Sequence, residues 1–149
     1  MANAVVVVSA LLLGPVEGGI AGAIGLSIAD IMDPRYIASA PKTFLLKFCI
    51  GWISGTLAKK MNVSKEKDAK KAALNTALCA AAGLGFNVIF DPIIGYLFKR
   101  FILGIEADAA AIILAWSGGV TAFNAIICIF VAVILYMALR KPFANMNKS

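Results

Sequence analysis

Histidine is absent from this 149-residue chain, and its three cysteines, Cys49, Cys79 and Cys128, lie far apart in apolar runs without CxxC spacing. Zinc and cluster sites need such side chains in groups, so no metal centre is expected and the cysteines read as buried packing residues. Nucleophile-plus-base arrangements are also missing, which argues against an enzyme, and nothing calls for a bound cofactor. No GxxxxGK[ST] pattern occurs, so the chain is not expected to hydrolyse ATP itself. No basic region precedes the first apolar block, as it would in a cleavable signal peptide. Charge is scarce too, at 15% of residues, which leaves too little polar surface for a soluble globule.

What replaces it is apolar: 61% of residues are hydrophobic, and the mean hydropathy is +0.89. A helix rises ~1.5 Å per residue across a ~30 Å hydrocarbon core, so this length accommodates about five or six spans. The expected fold is an all-α integral membrane protein, a compact bundle of about five transmembrane helices forming one domain over 1–149.

The first apolar block, 4–13, is broken at Gly14-Pro15, where proline removes a backbone donor and glycine frees the dihedrals. This favours a tight turn into a second block, 17–32. Glycines at 14, 18 and 22, with Ala21, Gly25 and Ala29 at the same interval, let helix backbones approach closely. Glu17 stands at a helix N-terminus, where a carboxylate caps free amides and complements the dipole. Residues 33–41 form a loop bracketed by Pro34 and Pro41, the latter suited to a first helical turn. A third span covers 43–58 and a fourth 72–98, the latter interrupted by Asp91-Pro92 near its far end. The last apolar stretch, 109–139, is too long for one perpendicular span and must tilt, kink near Gly118-Gly119 or begin as a loop.

Lys59, Lys60, Lys65, Lys67, Lys70 and Lys71 face only Glu66 and Asp68 between residues 59 and 71. The positive-inside rule makes this segment cytoplasmic. Counting crossings then puts Arg140, Lys141 and Lys148 inside as well, and 33–41 and 99–108 outside. The net charge of +6 is concentrated at these membrane-flanking segments, where it orients helices and attracts anionic lipids, so nucleic-acid binding is not expected.

The Gly14-Pro15-Val16-Glu17-Gly18-Gly19 block, the Ala40-Pro41-Lys42-Thr43-Phe44 block, the lysine-rich loop and Gly95-Tyr96 before a final long helix occur here in order. In this the chain resembles the S components of energy-coupling factor (ECF) transporters. The resemblance implies a six-helix fold in the bacterial plasma membrane that captures a water-soluble vitamin or related micronutrient from outside. It also implies delivery through a transmembrane coupling subunit and two cytoplasmic ATPase subunits. Matched to that pattern, 5–13 corresponds to the second helix, and the first helix, with its docking residues and following loop, is not matched. Natural shortening, a misplaced start and truncation all account for this equally.

A site for such a ligand needs a few convergent polar groups in an apolar cavity, and polar residues in the outer halves of the spans are the natural candidates. Asn124 brings an amide within the last span, and Asn87 and Tyr96 approach the outer end of the preceding one. Lys47 lies deep enough to meet an anionic ligand or a carboxylate such as Asp30 or Asp91, and Lys42 lies above it. Trp116 is placed to cover a ring, against the usual role of an interfacial tryptophan. Asp33 and Arg35 are weaker candidates in the outer loop. Two other classes stay open: a stand-alone small secondary transporter using a Lys47/Asp91 charge pair, and a membrane scaffold built on small-residue interfaces.

Overall fold

A computed structural model describes residues 2–34 and 37–146, with side chains described through 142. Five α-helices follow one another: α1 (Ala2–Leu13), α2 (Pro15–Met32), α3 (Ala40–Lys60), α4 (Ala69–Phe101) and α5 (Ala107–Met146), with short 3₁₀ turns at Ile37–Ser39 and Val63–Lys65. Three of them, Pro15–Met32, Ala69–Phe101 and Ala107–Pro142, are long and apolar enough to cross a membrane. The all-α membrane bundle expected from composition is the observed fold. Arg35 and Lys148 lie outside the described residues.

Only glycine readily adopts the corner between α1 and α2, because Gly14 has φ 113°. Pro15 follows in the first turn of α2, where its missing N–H costs nothing. The two helices then fold back on each other almost without clearance: a Cβ on Gly18 would lie 2.3 Å from the Ser9 carbonyl oxygen, and one on Gly22 would lie 2.9 Å from Val6. The Ser9 hydroxyl is within donor distance of two carbonyls, that of Val6 at 2.9 Å and that of Gly18 at 3.0 Å. Ser9→Ala is expected to cost about 1 kcal/mol, a modest fall in the thermal midpoint of the detergent-solubilised protein.

Small residues set the next two interfaces as well. A Cβ on Gly51 of α3 would meet Gly19 of α2 at 2.5 Å, and one on Gly83 of α4 would meet the Ile50 carbonyl of α3 at 2.7 Å. Successive helices are antiparallel, so the Gly14 corner lies at the same end as Lys59 and Lys60. α1 is short, 12 residues or about 18 Å, yet it supplies Ala4, Val6, Val7 and Leu11 to the core. There they meet Ile50, Leu84, Cys128, Ala132 and Tyr136. Cys79 and Cys128 are buried as expected, whereas Cys49 is only partly so.

Two expectations need correction. The Asp91-Pro92 pair does not interrupt α4, which runs through Pro92 as one helix of 33 residues. The proline is buried and faces Gly118 of α5. α5, by contrast, is as expected too long for one perpendicular span: it runs through Gly118-Gly119 as one helix of 40 residues, about 60 Å. Glu17 stands exposed in the first turn of α2 but makes no capping hydrogen bond there, because Gly14 occupies the cap position. Its contribution is limited to the helix dipole. Asp68 is the side chain that does cap, accepting from the Lys70 amide at 3.0 Å at the start of α4.

Candidate functional site

Most of the polar side chains buried between helices are stacked in the half of the bundle away from the basic segment. α5 shows how the sequence places them. Ser117, Thr121, Asn124 and Cys128 recur at intervals of four, three and four, which keeps them on one face of a 3.6-residue helix. The opposite face carries Ile112, Trp116, Val120, Phe123, Phe130 and Ile134, all more than half exposed, the surface that meets lipid. α4 turns Asn87 and Asp91, one helical turn apart, toward α5 and α3, and α3 contributes Lys47 and, one turn nearer the outside, Thr43 and Lys42.

The contacts form two tiers. In the outer tier the Lys42 ammonium pairs with the Asp91 carboxylate at 2.9 Å, each side chain about a fifth exposed (20% and 21%). Thr121 donates to the other carboxylate oxygen at 3.4 Å, so Asp91 ties α3, α4 and α5 together. Thr43 donates to Asp30, joining α2 to the same layer. In the inner tier the Lys47 ammonium donates to Asn87 Oδ1 at 3.4 Å, and Asn87 is 2% exposed. Asn124 lies one turn below Thr121, at this depth by the register of α4 against α5, and accepts from the Cys128 thiol at 3.7 Å.

Asp91 therefore pairs with Lys42 and not with Lys47, as the secondary-transporter reading required. Its carboxylate is already committed, and the Lys47 ammonium donates its hydrogen bond to a neutral amide. A buried cation whose hydrogen bond goes to a neutral amide gains from a better acceptor when one is offered.

Above these tiers a small cavity of about 30 Å³ is lined by Lys42, Pro92, Gly95, Tyr96, Lys99, Ile113 and Ser117. A wider crevice of about 370 Å³ opens at the opposite, basic end, between the Gly14 corner, Glu17, Lys59 and Ser64.

Of the residues singled out from sequence, Lys42, Lys47, Asn87 and Asn124 come together between α3, α4 and α5, and Tyr96 lines the small cavity above them. Trp116 does not join them: it is 76% exposed on the lipid-facing stripe of α5. Asp33 remains at the end of α2, where its carbonyl accepts from the Ile37 amide at 3.2 Å. Thr43, Ser117 and Thr121 were not among the candidates. The spacing of Ser117 and Thr121 from Asn124 was the available signal, since it puts all three on one face.

A family model for ECF-type riboflavin transporter S components matches residues 1–141. No curated protein and no solved structure matches the chain.

Proposed function

The chain belongs to the ECF-type riboflavin transporter S component family, and from that membership we propose that it captures riboflavin, or a vitamin sharing its ring system, from the outer side of the membrane. The S component is the substrate-binding subunit of such a transporter. In this reading residues 1–149 act as a single domain, and ATP is hydrolysed by two cytoplasmic partners that act on this chain through a transmembrane coupling subunit.

The observation that carries the reading is the inner tier. The pyrimidine edge of a flavin is an imide, with a carbonyl acceptor on each side of an N–H donor. Lys47 supplies the donor for a ring carbonyl, and the amides of Asn87 and Asn124 supply both donor and acceptor. A ligand carbonyl at Lys47 gives the ammonium a better acceptor than its present 3.4 Å contact. The outer tier of Lys42, Asp91 and Thr121, with Tyr96 above it, suits the hydroxylated ribityl chain.

Vitamin sites occupy roughly 300–1,000 Å³, and the space beside Tyr96 here is about 30 Å³. In this reading riboflavin enters by widening that space, with the outer ends of α4 and α5 parting around Tyr96 and Ser117. The ion pair between Lys42 and Asp91 is the contact that must open.

Riboflavin fluorescence provides the test. Titrating the detergent-purified chain into riboflavin should quench the emission saturably at one ligand per chain, and the same ligand should raise the thermal midpoint. A folded, monodisperse protein that neither quenches nor shifts would overturn the assignment.

A further inference from the structure

On the inner half of the bundle, far from the tiers described above, α3 and α4 leave an apolar groove of about 380 Å³ lined by Trp52, Ile53, Thr56, Leu57, Lys60 and Ala82. Trp52, Thr56 and Lys60 succeed one another at four-residue intervals, so they form one edge of it. On α4 the face below Ala82 carries Leu78, Asn75 and Lys71 at intervals of four, three and four, running toward the same end. Because the helices are antiparallel, with Ile50 opposite Gly83, Lys60 comes level with residue 73, between Asn75 and Lys71, and Lys71 lies about half a turn further along. Both lysines are exposed, and Trp52 is 51% exposed along the groove wall.

We propose that this groove holds one anionic phospholipid of the inner leaflet, with an acyl chain along Trp52, Leu57 and Ala82 and its phosphate between Lys60 and Lys71, beside Asn75. The apolar stretch ends at two cations on neighbouring helices, which is the complement of an anionic headgroup joined to a hydrocarbon chain. Neutral lipid fills the same groove without satisfying the lysines. The six-lysine segment raises the local concentration of anionic lipid over the whole inner face. What distinguishes the groove is that Lys60 lines it and that the spacing of Ala82, Leu78, Asn75 and Lys71 carries a second lysine along the adjoining face of α4.

Trp52 reports occupancy directly, because brominated acyl chains quench tryptophan on contact. In a Trp116→Phe background, reconstituted into vesicles, brominated phosphatidylglycerol should quench Trp52 more strongly than brominated phosphatidylcholine at equal mole fraction. The preference should fall by roughly fivefold or more when Lys60 and Lys71 are both changed to glutamine. Lys60→Arg with Lys71→Arg should keep it, and so should Lys65→Gln with Lys67→Gln, which removes the same charge away from the groove. Equal quenching by the two lipids overturns the proposal. So does an equal loss in both glutamine pairs, which would make the effect one of overall charge. Competition by millimolar glycerol phosphate would assign the lysines to a soluble phosphate and overturn it as well.

Discussion

Lys47→Met should weaken riboflavin binding by roughly 10- to 150-fold while leaving the ligand-free protein as stable as before, or more so. A hydrogen bond from a charged donor contributes about 1.5–3 kcal/mol, and each 1.4 kcal/mol is tenfold in Kd. The same ammonium, in the ligand-free chain, lies between helices with a long 3.4 Å contact to Asn87 as its hydrogen bond. Methionine fills similar volume without the desolvation cost. Binding and stability therefore move in opposite directions or separately, and a residue of purely structural importance would not behave in this way. Fluorescence titration reads the first quantity, and thermal unfolding of the apo protein in detergent reads the second. Equal loss of both would show that Lys47 holds the bundle together and does not hold the vitamin.

Gly18→Val is expected to destabilise the fold by about 3 kcal/mol or more, enough to splay α1 from α2. The nearest atoms to a new Cβ are the backbone of Ser9 and Ala10, at 2.3 and 2.4 Å. Backbone does not turn aside as a flexible side chain does, so the helices must separate and the Ser9 hydrogen bond to Gly18 is lost. α1 supplies the centre of the core, so the disturbance spreads to Ile50 and Tyr136. Gly25 of α2 makes the comparison, since nothing lies within 4 Å of a Cβ there. Gly25→Ala should be neutral or stabilise by up to about 1 kcal/mol. Thermal midpoints of the two variants, followed by size-exclusion profile in detergent, should differ in sign or nearly so.

Much of this architecture is legible in the residues alone. The Gly14-Pro15 break and the apolar blocks give the helix order, because hydropathy and backbone preference act locally. Small residues at four-residue spacing announce that helices pack closely, but not which helix each will meet. Gly18 packs against α1, Gly51 against α2 and Gly83 against α3, and nothing in the spacing distinguishes these. The break at Asp91-Pro92 is an over-reading for a related reason. Proline and glycine lower helix propensity locally, whereas in the bundle Pro92 is buried facing Gly118, and the close packing of α4 on α5 keeps both helices continuous.

The sequence by itself determined that the chain is a helical membrane protein and that Lys42, Lys47, Asn87, Tyr96 and Asn124 are worth attention, because burying a polar group in hydrocarbon is costly wherever it occurs. Only the tertiary structure decided their partners. It gave Asp91 to Lys42 and Thr121, left Lys47 beside the amide of Asn87, brought Asp30 to Thr43, and turned Trp116 out toward lipid. Those outcomes depend on the rotation and register of one helix against the next. Glycine contacts spread over the whole bundle set both, and no local stretch of chain encodes them.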